Sequence, residues 1–179
     1  MAGMTVDPER EVPTGAIETA LTMAESLHGR DIGGDVGTTL TYINDGIDRW
    51  GKPTILDAFG SLIFTAVNTG KWAEGEDALH TLVPAVVGKF QRMQLPEMPD
   101  TVLPTVAGLL TAACLQLDPL EWRLSLGPIL SSEIEVWMYA VWLLIDFMDE
   151  IMFGGREGAF AELLRGILLS GPDDSPTDD

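Results

Sequence analysis

Residues Glu133–Phe153, EIEVWMYAVWLLIDFMDEIMF, decide the fold that this sequence predicts. The ten residues from Val136 to Ile145 carry no charge, and three acids then follow within five positions, at Asp146, Asp149 and Glu150. An uncharged run of this length predicts the longest and most apolar helix of the protein, at about 132–153. Because a membrane span needs about 20 apolar residues, we expect a buried central helix rather than a transmembrane one.

The two sides of this helix differ in composition. At about 100° per residue, one side is purely apolar and is expected to face the core: Trp137, Ala140, Val141, Leu144, Met148 and Ile151. The opposite side mixes aromatic residues with acids: Glu135, Tyr139, Trp142, Asp146, Asp149, Glu150 and Phe153. Aromatic side chains surrounded by charge are typical of an interaction surface. The candidate interaction residues are therefore Tyr139, Trp142, Asp146 and Phe153, unless another helix of the same chain covers them.

Helical spacing of apolar residues recurs along the rest of the chain, and no stretch favours a strand. Glycines, prolines and capping residues divide the sequence into predicted helices at about 14–28, 38–50, 55–69, 74–93, 101–117, 119–127, 132–153 and 157–169. We expect Gly29 to end the first helix and Pro84 to kink or break the fourth. Asp118 and Ser132 are the predicted N-caps of the sixth and seventh helices.

These elements predict an all-α fold, a single-domain bundle of about eight helices spanning residues 14–170. The length of 179 residues fits one domain. Residues 1–13 are expected to form a polar N-terminal arm. Residues 171–179, GPDDSPTDD, contain nothing apolar, so they are expected to form a disordered acidic tail.

The charge balance limits the classes of partner. The chain has 28 acids and 10 bases, a formal net charge of −18. Such a surface repels phosphates, so we expect neither a nucleic-acid partner nor a membrane partner. Cys114 is the only cysteine, which excludes an intrachain disulfide. The first residues lack the basic and apolar regions of a signal peptide, so a soluble cytoplasmic protein is expected.

The acids of the long helix also suggest an enzymatic alternative. Asp146, Asp149 and Glu150 have a D-x-x-D-E spacing that places three carboxylates on one helix face, where they could hold Mg²⁺ or Mn²⁺. Glu74, Glu76 and Asp77 could supply opposing ligands of a metal-dependent, all-helical hydrolase. However, no lysine or arginine cluster accompanies them to bind a phosphate. A solvated helix end is therefore the preferred interpretation of this carboxylate cluster.

Other catalytic patterns are weaker still. Each of the two histidines follows an acid by three residues, at Glu25/His28 and Asp77/His80, a spacing that di-iron bundles also use. Such short spacings recur by chance in an acidic chain, so we predict no metal, no cofactor and no catalytic residue. The functional prediction is a protein–protein interaction module, binding another protein or self-associating as a homo-oligomer. A second alternative is a small-molecule binding protein with an apolar cavity among the third, fifth and seventh helices.

Overall fold

A computed structural model of the protein describes residues 11–31, 36–69, 78–92 and 102–170. Within these ranges all regular structure is α-helical, which confirms the predicted all-α bundle. The described helices are α1 (Thr14–Asp31), α2 (Val36–Trp50), α3 (Lys52–Thr69), α4 (Ala78–Arg92), α5 (Val102–Cys114), α6 (Pro119–Ser125), α7 (Glu133–Phe153) and α8 (Ala159–Leu169). The predicted tail and most of the predicted arm lie outside the described residues.

Two predicted helix boundaries next to glycine or proline are wrong, and one of the two outcomes predicted at Pro84, a break, does not occur. α1 continues through Gly29 to Asp31, since a helix tolerates an internal glycine at a cost of about 1 kcal/mol relative to alanine. α3 begins at Lys52, which places Pro53 in the first turn, where its missing N–H breaks no helical bond. α4 continues through Pro84 as one helix, so the chain does not break there.

The long helix α7 is the centre of the bundle. It contacts α1, α3, α4, α5 and α8, and its residues Val136–Ile145 are all buried. Its predicted C-terminal end is confirmed, because Gly154 adopts a left-handed conformation with φ of 62° that glycine accepts without strain. Ser132 occupies the predicted N-cap position of α7, but its backbone is in helical conformation and its side chain makes no capping hydrogen bond.

The segment before α7 is held by other side chains. Arg123 of α6 forms a salt bridge to Glu133 at 2.6 Å, and Glu133 also accepts a hydrogen bond from the N–H of Leu130 at 3.1 Å. The predicted cap of α6 is confirmed, because Asp118 accepts hydrogen bonds from the N–H groups of Leu120 and Glu121. These local contacts fix where α7 enters the core, and so fix which of its sides faces each neighbouring helix.

Candidate functional site

Two of the four candidate interaction residues, Tyr139 and Trp142, are buried, with exposed fractions of 6% and 8%. Phe90 of α4 packs edge-on against Tyr139, with ring centroids 5.8 Å apart. Tyr139 in turn packs against Trp142 at 6.3 Å. Tyr139 and Trp142 are therefore covered within the same chain, which is the alternative to an interaction surface that the sequence leaves open. We call the side of α7 that carries both aromatic residues and acids the mixed side.

The third aromatic candidate, Phe153, lies at the surface together with its two predecessors. Ile151, Met152 and Phe153 are 48%, 42% and 37% exposed, respectively. We call these three residues the apolar turn. Ile151 belongs to the side of α7 that the sequence assigns to the core, but it is exposed because it lies near the C-terminal end of the helix. Because successive helix residues lie about 100° apart, the apolar turn spreads around the end of α7, with Met152 and Phe153 next to each other and Ile151 on the side opposite Phe153.

Asp146, the fourth candidate, takes part in an ion pair that joins α7 to α4. The ammonium of Lys89 lies 2.6 Å from the carboxylate of Asp146 and 2.9 Å from that of Glu150. Acids near a helix C-terminus oppose the helix dipole and repel each other at a spacing of four residues. Lys89 lies between the two carboxylates and offsets both effects. These two members of the D-x-x-D-E cluster therefore contact a base of the same chain.

The same pair predicts a pH dependence. Burial alone would lower the pKa of the Lys89 ammonium, but the hydrogen bonds and charges of Asp146 and Glu150 together outweigh burial and raise that pKa above 10.5. A lysine whose pKa is raised on folding stabilises the folded state at pH values below the pKa that it has in the unfolded chain. This contribution disappears as the pH rises through the pKa that the lysine has in the folded protein.

We expect Lys89→Met to lower the free energy of unfolding by about 1 kcal/mol near neutral pH, because it leaves two neighbouring carboxylates unpaired. The difference from the wild type should shrink above pH 10.5, where the lysine begins to lose its proton. Urea unfolding across pH measures both effects. Arg156→Met, which removes only an exposed 3.8 Å ion pair with Glu162, is the control and should change little. A Lys89→Met effect that did not depend on pH would contradict the assigned charge pairing.

Asp149, the remaining acid of the cluster, is buried, with an exposed fraction of 6%. Its carboxylate accepts hydrogen bonds from the N–H groups of Gly158 at 2.8 Å and Phe160 at 2.7 Å, at the start of α8. Gly158 occupies the N-cap position of α8 and has no side chain to cap the helix. Asp149 supplies from α7 the carboxylate that an N-cap residue normally provides. Its role is therefore to attach α8 to α7.

The described residues do not assemble the predicted alternative metal sites. Among them, no group of three or more His, Cys, Asp and Glu side chains is placed to hold a metal ion. Glu25 forms a salt bridge with Arg165 of α8, and His80 is exposed. Residues 74–77 and the side chain of His28 lie outside the described part of the chain.

A cleft lies where α1, α7 and α8 meet. Its volume is about 120 Å³, and it is lined by Glu25, Trp142, Ile145, Asp146, Asp149, Glu157, Gly158 and Ala161. Pockets for small organic ligands usually measure about 300–1,000 Å³, so this cleft is too small to enclose one. Its walls are apolar, with Trp142 and Ile145 on one side, and four carboxylates surround them.

The sequence places three of the eight lining residues together, because Trp142, Asp146 and Asp149 share the aromatic and acidic side of α7. It does not place Glu25 or Glu157 beside them, because no local pattern shows that α1 and the α7–α8 connection lie next to that side. Arg165 was missed for the same reason: it pairs with Glu18 and Glu25, which are distant in the sequence. Only the packing of α8 against α1 brings these residues together.

Comparisons with protein families, with curated proteins and with solved structures found no match. No helix in the described ranges is long and apolar enough to cross a membrane. The fold defines the class, an all-α helical bundle, and any functional inference has to come from the surface of that bundle.

Proposed function

We propose that this protein acts through protein–protein contact, made at the C-terminal end of α7. The observation that carries the proposal is the apolar turn, in which Ile151, Met152 and Phe153 are all exposed. Apolar residues scattered singly over a surface are ordinary, whereas neighbouring ones with a polar rim, such as Met152 and Phe153, are typical of binding surfaces. A partner that covers these two side chains would remove both from water, with a favourable free energy for each.

The apolar turn adjoins the cleft. Helical geometry places Phe153 about one turn beyond Asp149, and Met152 about two turns beyond Ile145. Both Asp149 and Ile145 line the cleft, so Met152 and Phe153 continue the wall that α7 contributes to it. The proposed contact surface therefore consists of Met152 and Phe153 of the apolar turn, the half-exposed Asp146, and the part of Trp142 that faces the cleft.

A second group of exposed apolar residues lies before the N-terminal end of α7. Leu124, Leu126 and Leu130 are 48%, 66% and 63% exposed. The charged residues there, Arg123 and Glu133, neutralise each other in a salt bridge. This group lacks the carboxylate-rimmed cleft that distinguishes the other end of α7, and it therefore offers a matched control for substitutions in the apolar turn.

Copurification and sedimentation of the tagged protein, expressed in the cells that produce it, test the proposal. Three forms are compared: the wild type, Phe153→Glu and Leu126→Glu. Phe153 is preferred to Trp142, because a charge at the buried Trp142 would disrupt the core. If proteins copurify with the wild type, we expect them to copurify with Leu126→Glu but not with Phe153→Glu. If the wild type self-associates in sedimentation, we expect Leu126→Glu to self-associate as well and Phe153→Glu to be monomeric. Equal association by all three forms would contradict a contact at the apolar turn.

A further inference from the structure

We propose that the surface around Phe153 docks a basic, amphipathic segment of another protein, rather than a second copy of this chain. The inference rests on the proposed protein contact and names the chemistry of the partner. Apolar residues of the segment would cover the apolar turn, and a lysine or arginine beside them would enter the cleft.

The charges around this surface favour a cationic partner. Asp146 and Glu150 have side chains 47% and 58% exposed and share a single cation, Lys89. Glu157 is also exposed and lines the cleft. The other bases beside the cleft are Arg156, which lies 3.8 Å from Glu162, and Arg165, which pairs with Glu18 and Glu25. The acids still outnumber these bases, and the excess has the same sign as the net charge of −18 of the whole chain. Long-range attraction would therefore steer basic partners toward the molecule, and the local acids would orient them on this surface.

A second copy fits the same surface poorly. Homodimers are most often isologous, so each copy would present the same patch to the other. The exposed carboxylates of Asp146, Glu150 and Glu157 from both copies would then be brought together in one interface. Like charges brought together at an interface are costly, and this chain offers few bases to offset them. The apolar turn alone would have to overcome that repulsion.

The cleft has the size and the lining for one cationic side chain. At about 120 Å³ the cleft is far smaller than a pocket for an organic ligand, but it is open to a small group such as an ammonium or guanidinium. Long basic side chains lay their methylene groups along apolar surface and keep the charge near polar groups. Trp142 and Ile145 would contact the methylene groups, while Glu157 at the rim would receive the charge.

A defined probe tests the inference: a fluorescein-labelled synthetic peptide with leucine and lysine at amphipathic helical spacing, measured by fluorescence anisotropy with the full chain. We expect Phe153→Ser to weaken binding about tenfold or more, as loss of a central apolar anchor does. Glu157→Gln should weaken it about threefold, and binding should fall with added salt. Leu126→Ser and Glu135→Gln are the matched controls, since Glu135 is an exposed acid at the other end of α7. Both controls should bind like the wild type.

Three results would overturn the inference. Equal binding by all five forms would mean that the peptide responds only to the overall negative charge. The second result has two parts: the wild type binds butylammonium and Trp142→Leu does not, while Phe153→Ser leaves peptide binding unchanged. The cleft would then be a site for small cations and not part of a peptide-binding surface. A wild-type dimer in sedimentation velocity that Phe153→Ser dissociates would show that the apolar turn contacts a second copy. In that last case the proposed protein contact would stand while its basic partner would be refuted.

Discussion

Asp149→Ala is expected to lower the free energy of unfolding by about 3 kcal/mol. The carboxylate of Asp149 accepts two short hydrogen bonds from the start of α8, and only 6% of the residue is exposed. Alanine would leave the N–H groups of Gly158 and Phe160 without an acceptor in a place that water reaches poorly, at about 1–3 kcal/mol for each unsatisfied group. Gly158, at the N-cap position of α8, has no side chain that could replace the lost acceptor.

Urea unfolding of the full chain measures this loss. Asp149→Asn should cost less than Asp149→Ala, because the amide oxygen keeps one of the two hydrogen bonds. Glu150→Gln is the neighbouring control: its side chain is 58% exposed, so its partial loss of the Lys89 pair should change stability by less than about 1 kcal/mol. A cost for Asp149→Ala no larger than that of the control would show that α8 does not depend on a cap from α7.

Gly108→Ala is expected to destabilise the protein by about 2 kcal/mol. A Cβ atom at Gly108 would lie 2.0 Å from Cη2 of Trp122, with two further ring atoms within 2.8 Å. α5 and α6 pack this closely only because glycine leaves room for the indole ring. Alanine would force the ring or the helix to move, and the cost should exceed the roughly 1 kcal/mol that alanine gains in helix propensity.

Two companions isolate the cause of that effect. At Gly166 in α8, a new Cβ would have no heavy atom within 4 Å apart from its chain neighbours and the backbone of its own helix, so Gly166→Ala should stabilise the protein by about 0.5–1 kcal/mol. In a Trp122→Leu background, Gly108→Ala should cost much less than in the wild type, because the clashing ring is absent. Thermal or urea unfolding of this double-mutant cycle gives the coupling directly. An equal cost in both backgrounds would mean that Trp122 is not the obstacle.

The sequence predicts the parts of this fold that are written locally. The bounds of α7 follow from an uncharged run and from Gly154, and the cap of α6 follows from Asp118 and Pro119. Neither depends on a distant part of the chain. The end of α1 beyond Gly29, the start of α3 beside Pro53 and the continuity of α4 through Pro84 are not written locally, because glycine and proline can each interrupt a helix or be accommodated within one, and tertiary packing decides which outcome occurs.

The candidate site was predicted less completely, for a different reason. Helical periodicity separates two sides of α7 but does not say which elements cover each side. Tyr139 is covered by Phe90 of α4, and Asp149 is buried because the start of α8 needs an acceptor. Both relations depend on where another helix is placed. Phe153 is an exception, because its position in the last turn of α7 keeps part of its ring outside the core.

α7 thus combines two roles along the mixed side. Its acids hold neighbouring helices, through Lys89 to α4 and through Asp149 to α8. Its last turn contributes apolar side chains that no described helix fully covers. This division explains why three acids and a large aromatic residue occur together near one helix end, which the helix dipole alone would disfavour.

Site-specific photo-crosslinking tests the proposed contact most directly. A photoreactive phenylalanine derivative would replace Phe153 in the full chain, and in a second form Leu126, and each would be irradiated in the cells that produce the protein. We expect a discrete protein adduct from position 153 and none, or much less, from position 126, although residue 126 is the more exposed of the two. Adducts from position 126 alone, or no adduct from either position, would contradict a protein contact at the C-terminal end of α7.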